Sequence, residues 1–278
     1  MKAFFKYWGG KFYLREWVLE HFPKGYENMC YVEPFCGSLN VLFAKRRSKF
    51  EVANDLDRNV FLIYKALRER PTKLLNMLNY TAFNAHELKY AHQILNGKIK
   101  KRDWIFYAWA KYVSLNMSYF GMGQKTDTLH ISHERCHAIP FTNRFKESNY
   151  NQVLKRLKLV EFANMDALKL IKMVDSKNTL FYLDPPYPET HCSPYKDDFK
   201  MQDFNKLTNY LKTIKGKYII SFELKPGMEC NNLQGRYLYK KDIHRQCDSA
   251  NGTRLERTAT ECLLTNFETV RPKQLSFF

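Results

Sequence analysis

Long apolar runs are missing from this chain of 278 residues. No stretch approaches the ~18 consecutive apolar residues that a membrane-spanning helix needs, so no membrane partner is expected. Near the N-terminus, Lys2, Lys6 and Lys11 are separated by aromatics and by Gly9-Gly10, a pattern without the apolar core of a secretory signal. Cysteine is sparse as well. The seven cysteines, odd in number and scattered, suggest reduced thiols in a cytoplasmic protein and no disulfide framework. Two nucleotide-binding signatures are also missing: there is no Gly-x-Gly-x-x-Gly and no Gly-Lys-Ser/Thr loop, which counts against a dinucleotide or ATP site. Internal repeats, low-complexity segments and long linkers are absent. The length allows a full core, as one large domain or one domain with an insertion.

Acidic residues are outnumbered, with Asp+Glu 28 against Lys+Arg 45 and a formal charge of +17. Basic residues interleaved with 15% aromatics point to a polyanionic partner, most simply nucleic acid. A ribosome-associated or membrane-surface protein would look similar on charge alone.

What is present is concentrated at Phe181-Tyr182-Leu183-Asp184-Pro185-Pro186-Tyr187. Leu180 to Leu183 has the length and bulk of a buried strand. It stops at once on an acid, two prolines and an aromatic. Proline lacks an amide donor and fixes φ, so the pair cannot extend a sheet ladder, and the residue before a proline is held extended. Asp184 should therefore project from the strand end with little freedom. A Pro-rich turn that merely ends a strand would show the same prolines. The added aromatic and the preceding apolar strand favour a site. Its residue types suit the exocyclic amine of a nucleobase, whose lone pair is delocalised into the ring. A carboxylate (Asp184) and a carbonyl (Pro185) can accept the two amine hydrogens and aim the lone pair at an electrophile. Tyr187 can stack on a base that has left the duplex. With Asp184, Pro185, Pro186 and Tyr187 in line, the sequence resembles the Dam-like DNA adenine-N6 methyltransferases, whose catalytic motif is Asp-Pro-Pro-Tyr.

Upstream, Met29 to Val32 reads as a buried strand, Glu33-Pro34-Phe35-Cys36-Gly37-Ser38 as a tight turn, and Asn40 to Arg47 as a helix. This is the first half of a nucleotide-binding βα unit, with ligand expected at the strand's carboxyl end. A second strand, Phe50 to Ala53, ends in Asn54-Asp55. Asp55 follows Glu33 by 22 positions, close to the ~20-residue offset at which an acid meets a ribose hydroxyl. The resembled family has Glu-Pro-Phe-x-Gly-x-Gly in this turn and an acid after the second strand, which implies S-adenosyl-L-methionine as cofactor. Leu39 stands where the family has the second glycine. The family also has Lys-x-x-Gly-Gly-Lys near the N-terminus, matched by Lys6 to Lys11, and an acid after a third strand, matched by Asp166 at the end of Leu159 to Ala163. The resemblance thus implies Tyr7, Lys11, Glu33, Phe35, Gly37, Asp55 and Asp166 at the cofactor. Asp166 is equally well placed to cap the helix Ala167 to Val174.

Asp57 to Phe120 reads as helical, broken once at Pro71, with most aromatics expected in the core. From Gly121 to Tyr150 the periodicity dissolves into glycine, charge and histidine, which reads as a long loop. His130, His133, Cys136 and His137 are zinc ligand types, but their spacing fits no common structural site. A solvated loop with phosphate-contacting histidines is the preferred reading, with no metal. In the resembled family a helical target-recognition region lies here, so Lys6, Lys125, Arg135 and Arg144 are expected at the DNA. Beyond Tyr187 a polar loop, Pro188 to Lys200, could close over the base. A helix (Phe204 to Ile214) and a strand (Tyr218 to Phe222) follow. Two further strands, Arg236 to Ile243 and Thr258 to Phe267, flank an Asn251-Gly252 hairpin turn.

The expected fold is α/β: a mostly parallel, Rossmann-like sheet of the methyltransferase type with a C-terminal antiparallel hairpin and a helical insertion. Residues 1–68 and 151–278 would form the catalytic domain and 69–150 the DNA target-recognition insertion. The resemblance implies site-specific transfer of a methyl group from S-adenosyl-L-methionine to adenine N6 by base flipping. Double-stranded DNA is the implied partner, and a cognate restriction endonuclease stays open. The rival readings are cytosine-N4 or RNA adenine methylation, and a catalytically silent DNA-binding module on the same scaffold.

Overall fold

The computed structural model describes residues 1–131, 136–186, 199–224, 237–248 and 254–269. Among these residues seven strands form one sheet: β1 Cys30–Glu33, β2 Phe50–Asn54, β3 Glu161–Ala163, β4 Thr179–Leu183, β5 Lys217–Leu224, β6 Tyr237–Asp248 and β7 Arg254–Thr265. The order is β3-β2-β1-β4-β5-β7-β6. β3, β2, β1, β4 and β5 run parallel, and β7 pairs antiparallel with both β5 and β6. The order reverses between β1 and β4. In open α/β sheets the crevice that holds ligands lies outside the strands' carboxyl ends at such a reversal. The expected α/β fold is present. Its terminal hairpin arms are longer than predicted, and the Asn251-Gly252 turn lies outside the described residues.

Alternation along β4 separates two cores. Leu180 and Tyr182 pack on one face with Tyr31, Ala53, Ile219 and Leu263. Phe181 and Leu183 pack on the other with Val32, Ile220 and Leu264. A strand covered on both faces is apolar nearly throughout, which accounts for the unbroken run Leu180 to Leu183 in a strand buried at every position. Helices α9 (Ala167–Val174) and α10 (Met201–Leu211) cover the second face through Leu170, Ile171, Leu207 and Leu211.

The first face carries α1 (Arg15–Glu20), α2 (Asn40–Ala44), α3 (Arg58–Glu69) and the inserted helices α4 (Pro71–Asn79), α5 (Ala85–Leu95) and α6 (Ile105–Met117). Pro71 sits at the first position of α4, where its missing N–H is no loss. Two further breaks, at 80–84 and 96–104, were not anticipated. Helix α6 is buried along nearly its whole length, from Ala108 to Met117 without interruption. It packs on both α3 and α5, so sheet and insertion share one continuous core. The segment expected as a long loop contains a helix, α7 (Ala138–Asn143), before α8 (Glu147–Leu157). Phe141 and Phe145 anchor it against Tyr112 of α6, an aromatic contact that local periodicity does not reveal. No helix among the described residues is long and apolar enough to cross a membrane.

Candidate active site

Asp184 follows β4 at the crevice, its side chain 19% exposed. Its Oδ1 accepts two hydrogen bonds, from Lys11 Nζ at 2.7 Å and from Ser221 Oγ of β5 at 2.8 Å. Among the described residues no donor engages Oδ2. Lys11 is buried. Burial opposes its charge, but Asp184, with further help from Tyr182 and Glu261, holds the ammonium firmly protonated, above its ordinary pKa. The lysine expected at the cofactor thus reaches the Asp184 carboxylate. Pro185 is buried, Pro186 half-buried. Tyr187 and the following loop, 188–198, lie outside the described residues.

Across the crevice the turn after β1 is stitched from several directions. Asn54, fully buried at the end of β2, donates to the carbonyls of Pro34 and Met165 and accepts from Met165 N. Tyr64 of α3 donates to Gly37 O at 2.6 Å. Asp55 Oδ2 accepts from Gly37 N at 3.0 Å, and its Oδ1 from Asp57 N at 2.9 Å. Gly37 has φ 45°, and a Cβ there would lie 2.7 Å from the Tyr7 ring. Backbone and ring can meet only because this residue is glycine. Gly10 makes a similar approach, but to the protein itself: a Cβ would stand 2.8 Å from Asn40 Nδ2.

Leu39 occupies the left-handed region at φ 58° and ψ 34°, the only non-glycine residue to do so among those described. That conformation costs roughly 1–2 kcal/mol for a residue with a Cβ. Its side chain is fully buried, and burial of a leucine is worth about 1.5–3 kcal/mol. The two offset, so the turn keeps the shape a glycine would take.

Glu33 ends β1 almost completely buried. Tyr31 donates to its Oε1 at 2.7 Å, and the Leu42 amide in the first turn of α2 also reaches it. Burial pushes its pKa up to about 8; the Tyr31 hydroxyl and Lys45 pull the other way, and the nearby Asp184 adds to the rise. Asp55, half-buried, is pushed up to about 7, first by burial and then by the Asp57 carboxylate. Phe35 meets Phe199 edge to face at 5.6 Å. Asp166 is exposed and caps α9, its Oδ1 accepting from Lys169 N at 2.8 Å.

Of the residues expected at DNA, Lys6 and Arg144 are neighbours despite their separation in sequence, and Lys6 has its pKa lowered by burial and by Arg144. Arg144 Nη1 donates to Ala3 O at 3.1 Å. Lys125 is exposed in a short 3-10 turn, Gly123–Lys125. Arg135, like His133, lies outside the described residues. No cluster of three or more metal-ligating side chains exists among the described residues. Ser221, Tyr31, Asn54 and Tyr64 were not singled out from the sequence. For Ser221 a signal existed: it is the lone small polar residue inside the apolar run Tyr218-Ile219-Ile220-Ser221-Phe222.

Compared with known families, residues 7–250 match the family model described as D12 class N6 adenine-specific DNA methyltransferase. No curated protein matches the chain. Among solved structures, a precorrin 8w decarboxylase from Methanobacterium thermoautotrophicum is similar at 12% identity, over 92% of this chain and 90% of that one, with a TM-score of 0.39. A likeness that loose has no bearing on activity.

Proposed function

This chain belongs to the D12 class N6 adenine-specific DNA methyltransferase family, and from that premise we propose that it methylates adenine N6 in double-stranded DNA with S-adenosyl-L-methionine as donor, after rotating the base out of the helix. The observation that carries the reading is the Asp184 carboxylate, set at the sheet's switch point with Oδ1 engaged by Lys11 and Ser221. Oδ2 is the acceptor for one amine hydrogen and the Pro185 carbonyl for the other. Together they draw the nitrogen toward tetrahedral geometry and orient its lone pair, which is preorganised electrostatic catalysis. Tyr187 offers a stacking face to the extruded base.

The residues around Gly37 fit the proposed cofactor. A half-buried acid at the end of β2, Asp55, is suited to ribose hydroxyls; Tyr7 and Phe35 supply rings, and Asp166 a second acid at the end of β3. When bound, S-adenosyl-L-methionine supplies the sulfonium-activated methyl group. Lys6, Lys125, Arg135 and Arg144 are assigned to the DNA backbone, and 69–150 is read as the target-recognition part. The test is product analysis. Purified protein is incubated with labelled S-adenosyl-L-methionine and duplex DNA, and the nucleosides are separated. Label in N6-methyladenine is expected; label in N4-methylcytosine, or none in DNA, overturns the reading.

A further inference from the structure

We propose that Ser221 and Tyr182 are positioning residues, neither meeting the target base, which fix the orientation of Asp184 and decide which of its oxygens is left for the amine. The inference rests on the role given to Asp184 under the proposed function. Ser221 lies on β5 and is 1% exposed. Its hydroxyl donates to Asp184 Oδ1 at 2.8 Å. The Leu183 carbonyl, 3.3 Å away, competes for the same hydrogen. A serine hydroxyl has one hydrogen and two lone pairs. With the hydrogen committed to Asp184, the contact from Tyr182 Oη at 3.2 Å must be a donation into Ser221 Oγ. The relay therefore runs from Tyr182 to Ser221 to Asp184.

Lys11 supplies the second donor to the same oxygen, but from the end of a four-carbon stem on an N-terminal segment. Buried and donating to Gly9 O at 3.2 Å as well, that ammonium is a point charge that attracts either carboxylate oxygen. Ser221 sits on a central strand between β4 and β7, and its hydroxyl bond is directional. The serine thus sets the carboxylate's orientation, and the lysine supplies charge. Both engage Oδ1, so Oδ2 is presented to the crevice. Removing the relay should leave cofactor and DNA bound and slow only the step that needs an aligned carboxylate.

The experiment uses the full chain, with single-turnover methyl transfer to duplex DNA beside equilibrium binding of S-adenosyl-L-methionine and of DNA. Ser221→Ala is expected to slow transfer about 10–100-fold, less than loss of a donor that meets the reacting charge itself, while both dissociation constants stay within about twofold. Ser221→Thr, which keeps the hydroxyl, should recover most of the rate. Tyr182→Phe should slow transfer less, and adding it to Ser221→Ala should change little further, because its hydrogen-bonded path to Asp184 runs through the serine. A wild-type rate in Ser221→Ala overturns the inference. So does a loss of rate matched by loss of binding, or a double variant whose effects multiply. If Ser221→Ala does not fold, Tyr182→Phe decides: a wild-type rate overturns the relay. A wild-type protein that methylates no DNA fails earlier, and removes the reading of Asp184 together with the relay.

Discussion

Strand β2 begins and ends next to a carboxylate, and the two are treated in opposite ways. Glu51, near its start, is buried and surrounded by donors: Lys45 Nζ at 2.5 Å, Ser48 N at 3.0 Å, and Arg156, which reaches both oxygens. Burial works against its charge, yet the Arg156 and Lys45 contacts keep its pKa below the ordinary value. Asp55, just past the strand's other end, has backbone donors only and a second acid, Asp57, beside it; its pKa rises to about 7. Glu33, at the same end of β1, rises to about 8. One edge of the sheet is neutralised and the other left under-compensated. Perturbed acids gathered at strand carboxyl ends are candidates for a binding site, whereas a compensated acid is a staple.

The contrast breaks most readily at the staple. Glu51→Ala strands Lys45 and Arg156 in the interior, and removal of one partner from a buried ion pair costs roughly 3–5 kcal/mol. Denaturant midpoints should fall accordingly, while the folded fraction keeps its cofactor affinity. An equally stable variant would show that the network contributes nothing.

The pH dependence sharpens the same contrast. Glu33 and Asp55 have raised pKa values in the folded state, so their stabilising effect is complete below the ordinary values of 4.5 and 3.8 and is lost as pH rises through about 8 and about 7. Glu51 is lowered, so its contribution exists above 4.5 and is lost on acidification. Glu33→Gln removes the alkaline penalty. Its stability relative to wild type should improve between pH 5 and pH 9 by about 4 kcal/mol, from a carboxyl that titrates at about 8 in the fold against 4.5 outside it. A difference that stays flat across that range would show that Glu33 is ionised in the fold. Smaller still is the effect at Asp166, where alanine removes the α9 cap and should cost about 1 kcal/mol. S-adenosyl-L-methionine binding should also weaken several-fold; a loss of stability alone would reduce Asp166 to a cap.

Much of this arrangement was legible in the sequence because it is local. The run Thr179–Leu183 is apolar at nearly every position, Asp184-Pro185-Pro186 terminates it, and Asp166 opens α9 at the predicted residue. Asp55 could be placed because only one turn, one short helix and one strand separate it from Glu33. What could not be read depends on residues far apart in sequence. Lys11 meets Asp184 across 173 positions, and Arg156 meets Glu51 across 105. Helix α7 has too few residues to show a period and takes its place from contacts with Tyr112. Leu39 hints at a glycine-like φ only by standing at the resembled family's second glycine; the residue type argues against it, because the strain is tolerated only once the side chain is buried.

Asp184 is assigned to the amine and not to the cofactor. Asp184→Ala, assayed beside wild type, measures it directly: N6-methyladenine formed in duplex DNA, with S-adenosyl-L-methionine binding followed by calorimetry on the same samples. A loss of product of at least about a thousandfold is expected, the scale on which essential catalytic groups act, with cofactor affinity nearly unchanged. A variant that still methylates adenine at a comparable rate, or one that loses cofactor and product together, would contradict it.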